Sequence, residues 1–145
     1  MNQKQKKIIC TVLIALNLAL IWGNSMMTGD DSGTMSDWLM DLLSFLPHSE
    51  LAHTILRKLA HFSEFACLGL LMGWMQVLTV GKPAVSVLGL GLAAGCIDET
   101  IQILVPGRAS SLLDVWIDTA GFAAGLTVLT LGYTIHKRKR ALEET

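Results

Sequence analysis

The chain has 145 residues, of which 52% are hydrophobic and only 16% are charged, and its mean hydropathy is +0.51. These values lie outside the range of ordinary soluble domains, so the composition argues against a soluble globular protein and favours a membrane protein. The formal net charge of -1 hides a segregation, because basic residues crowd the two termini and acidic residues lie between them. The average charge therefore says little about partners.

The first apolar run, residues 8–23, follows Lys4, Lys6 and Lys7. It is short for a membrane span and could be either an anchor or the apolar region of a signal peptide. No A-x-A-like cleavage site follows it, which favours the anchor.

Three further apolar runs cover residues 59–80, 85–105 and 112–135, each near the ~20 residues needed to cross the hydrocarbon. Only a helix satisfies its own backbone in lipid, and the alternating strands of a barrel are absent. Short connections join these runs, so consecutive helices are predicted to be antiparallel neighbours. We predict an all-α membrane protein, a compact bundle of four transmembrane helices in a single domain over residues 1–145.

The cysteines of the chain all fall inside these apolar segments and lack the C-x-x-C spacing of a metal site. Solvent oxidants do not reach such positions, which argues against a disulfide framework. We therefore interpret Cys10, Cys67 and Cys96 as small buried apolar residues.

Basic residues flank the spans unequally. Eight of them fall on one predicted side: Lys4, Lys6, Lys7, Lys82, Lys137, Arg138, Lys139 and Arg140. Only Arg57, Lys58 and Arg108 fall on the other. Since cytoplasmic loops carry the excess of Lys and Arg, we expect a multi-pass protein of the cell membrane with both termini in the cytoplasm. We read the basic C-terminal cluster as a topology anchor.

The segment 24–58 is then an outer loop. Apolar residues recur in it at near-helical spacing, which predicts an interfacial helix. These residues are Trp38, Leu39, Leu42, Phe45 and Leu46. Such a helix could cover the rim of the bundle or act as a lid over a substrate.

Ionisable and polar residues lie inside the predicted spans, all in the outer half. They are His61 and Glu64 in the second span, Asp98, Glu99 and Gln102 in the third, and Asp114 and Asp118 in the fourth. Helical spacing places the residues of each span on a shared face. An ionised group costs roughly 2.5–3.5 kcal/mol at the centre of a spanning helix, so these groups need partners, protons or water. We expect one outward-open cavity; a structural polar clamp is the alternative.

Glycines four residues apart recur in the last three spans: Gly69 and Gly73, Gly91 and Gly95, and Gly121 and Gly125. This spacing allows close packing of helices in lipid. We expect Gly91 and Gly95 to admit a neighbouring backbone, so that the polar ends of the second and third spans meet.

The chain resembles the VanZ-like family of bacterial membrane proteins. The resemblance rests on Arg57-Lys58-x-Ala60-His61-Phe62-x-Glu64-Phe65, Asp98-Glu99-x-x-Gln102, Pro106-Gly107-Arg108, Asp114, Gly121 and Gly125. Phe65 stands where the family commonly has Tyr, and Asp118 where it commonly has Asn. The resemblance implies a polytopic membrane protein linked, through the founding member, to low-level resistance to the glycopeptide teicoplanin by an unestablished mechanism.

Three functions are compatible with these residues. The first is a non-enzymatic factor that binds an envelope amphiphile, either a membrane lipid or a lipid-linked cell-wall precursor. In it, Arg57, Lys58 and Arg108 would hold phosphate or carboxylate groups, with Gln102 and Asp118 also contacting the ligand.

The second function is an intramembrane hydrolase or transferase acting on an extracytoplasmic lipid-linked substrate. Its catalytic candidates are His61, Glu64, Asp98, Glu99 and Asp114, and a divalent cation could bind among them. No established nucleophile or metalloprotease motif accompanies them.

The third function, a proton-coupled transporter, has little room in four short helices unless the chain forms a homo-oligomer. No phosphate-binding loop, dinucleotide fingerprint or nucleic-acid-binding module is present in the sequence.

Overall fold

The computed structural model describes residues 1–42, 49–108 and 110–143. Over these residues the chain is helical and has no strands. The helices are α1 (Gln3–Ser25), α2 (Gly29–Leu42), α3 (Glu50–Val80), α4 (Leu88–Ile103, preceded by the 3₁₀ turn Val85–Val87) and α5 (Leu112–Glu143). Helices α1, α3, α4 with its 3₁₀ turn, and α5 are long and apolar enough to span a membrane. The predicted all-α bundle with four candidate spans is confirmed.

Capping residues explain why the helices extend beyond the apolar runs. Asn2 and Gln5 form a reciprocal capping box that starts α1 ahead of its apolar stretch. The side chain of Ser49 accepts from the Ala52 amide and starts α3 at Glu50, well before residue 59. The end of the predicted outer loop 24–58 is therefore helical, with Arg57 and Lys58 on α3.

Helix α3 ends where the sequence predicts, at Gly81. This glycine has a φ of +83°, a left-handed conformation that residues with a side chain rarely adopt, and its amide donates to the Val77 carbonyl. The chain then reverses through Lys82 and Pro83 into α4.

Helices α3 and α5 form the closest pair in the bundle, and they run parallel. A Cβ atom built on Gly69 would lie 2.0 Å from the Phe122 carbonyl oxygen. One built on Gly121 would lie 2.3 Å from that of Phe62, and one on Gly125 1.8 Å from that of Ala66. Only glycine allows backbones to approach this closely, so these positions set the distance between the two helices.

The expectation that consecutive spans are close neighbours is wrong for α3 and α4, which touch little although a short turn joins them. Helix α4 packs on α5 instead. Gly91 faces the Phe122 ring, and Gly95 faces Asp118. Gly91 thus admits only a side chain of α5, whereas a Cβ on Gly95 would also lie 3.8 Å from the Val115 carbonyl oxygen, so the backbone near Gly95 belongs to α5 and not to α3, the helix that the sequence predicts there.

The buried core lies where the four long helices meet. Ile21, Phe65, Leu68, Ala94 and Phe122 are among its members. Many apolar side chains point outward instead, as expected of surfaces that face lipid.

The three cysteines differ in burial. Cys10 is buried and its thiol donates to the Leu71 carbonyl. Cys67 and Cys96 are exposed, so the interpretation of these two as buried residues is wrong.

The two ends of the bundle differ in charge. At one end the Gln3 side chain donates to the Leu78 carbonyl and the Tyr133 hydroxyl donates to the Gly81 carbonyl. These contacts place the start of α1, the α3–α4 turn and the last part of α5 together. The same end therefore carries the eight basic residues counted in the sequence. We call the opposite end, where α1 and α4 finish and α5 begins, the polar end.

Helix α2 begins against the α4–α5 loop at the polar end. The Gly29 amide donates to the Pro106 carbonyl at 3.2 Å, and Gly107, with a φ of +75°, lies against Gly29. A helix in the predicted outer loop is thus present, and Trp38 on it is exposed. Phe45 and Leu46, the last members of its predicted apolar face, lie outside the described residues.

Candidate functional site

The polar end gathers side chains from all four long helices. Helix α1 contributes Asn24 and Ser25 at its last turn, and the other helices contribute the residues that the sequence singled out. Among them, Asp98 on α4 is fully buried. Its Oδ1 accepts from the Ser25 hydroxyl at 2.5 Å, and its Oδ2 accepts from the Gln102 amide at 2.8 Å. These two donors satisfy and orient the buried carboxylate.

Glu99 holds the α4–α5 loop. One of its carboxylate oxygens, Oε2, accepts from the Ser110 hydroxyl at 2.7 Å and from the Ser111 amide at 2.8 Å. The other oxygen lies 3.4 Å from the Gln102 amide nitrogen. With these partners, Glu99 fixes the position from which α5 starts.

His61 on α3 lies between two aspartates. Its Nδ1 is 3.6 Å from Asp98 Oδ2 and 3.9 Å from Asp118 Oδ1, and the three potential ligand atoms lie within 4.8 Å of one another. The Asp118 side chain is 1% exposed, yet within the described residues neither of its oxygens accepts a hydrogen bond. This group of His61, Asp98 and Asp118 is the His–Asp cluster.

Two further carboxylates each have one partner on a neighbouring helix. Lys58 on α3 forms an ion pair with Asp114 at the start of α5. The Asn24 side-chain amide donates to Glu64 at 2.6 Å. Lys58 therefore links α3 to α5 on the polar-end side of the glycine contacts. Its charge is already paired.

Arg108 reaches back from the α4–α5 loop to α1 and α2. Its guanidinium donates to the Asn24 carbonyl at 2.7 Å and to the Ser32 hydroxyl at 3.1 Å. Its Nε is buried and makes no hydrogen bond within the described residues. Burial lowers the pKa of Arg108, the charge of Arg57 lowers it further, and the charges of Asp98 and Glu99 oppose the shift. An arginine still keeps its charge at neutral pH.

Two small cavities adjoin at this end. The first, of about 30 Å³, is lined by Arg57, Lys58, His61, Glu99, Gln102, Arg108, Asp114, Ile117 and Asp118. The second, of about 80 Å³, shares Arg57, His61 and Arg108 with the first and adds Glu64 and Asn24.

The structure thus brings nine of the ten residues named from the sequence to the walls of these cavities. Glu64 belongs to the second cavity, whereas Asp98 lines neither and lies behind His61.

Sequence reasoning missed the polar residues that hold the site together. These are Asn24, Ser25, Ser32, Ser110 and Ser111. A signal was present at Asn24 and Ser25, since both follow directly after an apolar span. The serines on the loop and on α2 carry no comparable signal.

A family model described as VanZ/LLP1 matches residues 8–133. The chain belongs to the VanZ/LLP1 family. The resemblance inferred from the motifs is therefore confirmed over most of the chain, from α1 to α5. No curated protein and no solved structure matches the chain. VanZ/LLP1 membership and the four candidate spans together identify a multi-pass membrane protein.

Proposed function

We propose that the chain binds the anionic headgroup of an envelope lipid at its polar end, on the outer side of the membrane. The observation that carries this proposal is a pair of arginines without carboxylate partners. Arg57 and Arg108 line both cavities, and among the described residues neither forms an ion pair with Asp or Glu. The charge of Arg57 lowers the pKa of Arg108, so the two guanidinium groups repel each other, and an anion between them would relieve this repulsion.

Guanidinium groups suit this role because their planar donors match the oxygens of phosphate and carboxylate. Arg57 is exposed and can meet a ligand arriving from the membrane surface. Arg108 is held in place by Asn24 and Ser32 and offers a fixed second charge.

The cavity volumes restrict the ligand. The first cavity, of about 30 Å³, has room for roughly two water molecules, since each water needs about 10–15 Å³ of cavity volume. A single phosphate or carboxylate at the mouth is therefore favoured over a whole lipoglycopeptide inside. The apolar part of an amphiphile would lie outside the cavities, against the lipid-facing surface of the bundle.

The test is equilibrium binding of a fluorescent polyprenyl phosphate to the purified chain in detergent, compared with the uncharged polyprenol. We expect the phosphate to bind at least tenfold more tightly, and Arg57→Gln to remove most of this difference. Lys82→Gln, which removes a cation at the opposite end, is the matched control. Equal binding of phosphate and polyprenol, or unaltered binding by Arg57→Gln, contradicts the proposal.

A cell-wall precursor as the bound lipid would connect this site to glycopeptide susceptibility, because glycopeptides act on such precursors outside the membrane. Expression of the chain should then raise teicoplanin tolerance in a susceptible host. Arg57→Gln should abolish the increase at equal protein level, and Lys82→Gln should not.

A further inference from the structure

The His–Asp cluster has the composition and spacing of a metal site. His61, Asp98 and Asp118 come from three different helices, and each offers one potential ligand atom, all within 4.8 Å of one another. We propose that this cluster binds one divalent transition-metal ion, Zn²⁺ or Mn²⁺. The inference goes beyond headgroup binding and does not depend on it.

The two distances from His61 to the aspartates fit shared coordination of an ion better than direct hydrogen bonding. His61 Nδ1 lies 3.6 Å and 3.9 Å from the nearest carboxylate oxygens. Hydrogen bonds between such atoms are about 2.7–3.2 Å long. Ligand atoms that each lie about 2.0–2.2 Å from one zinc ion are separated by roughly 3–4 Å.

Asp118 provides independent support. A fully buried carboxylate without a hydrogen-bond donor is costly, and buried charges are normally paired or bound to metals. Both oxygens of Asp118 lack a donor within the described residues. Gly95 leaves room for this side chain, because a Cβ there would lie 3.3 Å from Asp118 Cβ and 3.5 Å from Oδ2.

Asp98 is already oriented as a ligand would be. Ser25 donates to one of its oxygens and Gln102 to the other. Hydrogen bonds of this kind from neighbouring residues commonly fix metal-binding carboxylates. A carboxylate oxygen has two lone pairs, so Oδ2 can accept from Gln102 and still bind an ion.

Charge and donor type restrict the choice of ion. Two carboxylates and one neutral imidazole balance a charge of +2. Imidazole suits zinc and carboxylate oxygens suit manganese, so the mixed set fits either ion. Three protein ligands leave a coordination position open, and the 30 Å³ cavity beside His61 and Asp118 can hold water there.

The test is measurement of the metal content of the purified chain in detergent, without added lipid, after equilibration with Zn²⁺ or Mn²⁺ alone. We expect one ion per chain. Asp118→Asn and His61→Gln should each weaken binding at least tenfold. Glu50→Gln, which removes an exposed carboxylate from the same helix as His61, should bind the ion as the parent does.

Pulsed EPR of the Mn²⁺-loaded parent chain gives a second measurement that does not require folded Asp variants. Nitrogen coupling from one imidazole should be present, His61→Gln should remove it, and His53→Gln should keep it. Absence of a bound ion, an ion without nitrogen coupling in the parent, or coupling that survives His61→Gln overturns the proposal. Because no lipid is present, failure here is distinct from failure of headgroup binding.

Discussion

Single residues at the polar end divide into those that support the fold and those available to a ligand. Glu99 and the Lys58–Asp114 pair hold helix ends in place. Arg57 lacks a carboxylate partner within the described part of the chain. The sequence is compatible with both a polar clamp and a binding cavity, and the structure shows features of each in neighbouring residues.

Ser25 tests the supporting part of the site. Ser25→Ala removes the donor to Asp98 Oδ1, so we expect it to lower the free energy of unfolding by about 1–3 kcal/mol, as for other buried groups left without a partner. Thermal or denaturant unfolding in detergent, with a chelator present, measures the change. Ser63→Ala, at an exposed hydroxyl that bonds only to the carbonyl of Ala60, is the control and should change stability little. Equal stability of the two variants would show that the Asp98 bond is unimportant.

Helix positions were predictable from the sequence, but helix pairing was not. A long apolar run indicates that its own segment faces lipid, whatever the rest of the fold. All four spans could therefore be predicted from the sequence. The choice of α5 over α4 as the partner of α3 depends on how two glycine faces fit, and no local pattern records that fit. Helices α1 and α3 also begin earlier than the apolar runs predict, because their caps at Asn2 and Ser49 lie before the apolar stretches.

Gly125 tests the helix pairing. In Gly125→Ala the new Cβ would lie 1.8 Å from the Ala66 carbonyl oxygen, so α3 and α5 must separate. We expect a loss of about 1–3 kcal/mol of stability, the usual range for overpacking. Gly132→Ala on the same helix meets nothing within 4 Å and should be neutral or slightly stabilising, since alanine favours helix. Unfolding in detergent compares the two, and a Gly125→Ala variant as stable as Gly132→Ala contradicts the pairing.

At the scale of the whole molecule, the charge difference between the two ends predicts the orientation. The end bearing eight basic residues should face the cytoplasm and the polar end should face outward. The sequence thus predicts that the polar residues gather at one end of the bundle, because residues near the facing ends of consecutive spans must lie on the same side of the membrane. Their exact partners could not be predicted, since these come from α1 and α2 as well.

Cysteine labelling tests the orientation in a background without Cys10, Cys67 and Cys96. A membrane-impermeant maleimide should label Asp31→Cys in intact cells, but should label Lys82→Cys only after the membrane is opened. The reverse pattern would place the polar end in the cytoplasm and remove the basis for an extracytoplasmic ligand.

The parallel packing of α3 and α5 has a consequence for the order of biosynthesis. Two parallel spans cannot be joined by a tight turn, so α4 must cross back before α5 can enter the membrane. The N-terminal part of a chain is made first. The closest helix contact in the bundle therefore cannot form before α5, the last of the four spans to be made, has entered the membrane. Asp98 likewise emerges from the ribosome after Ser25 and His61, the residues that it contacts.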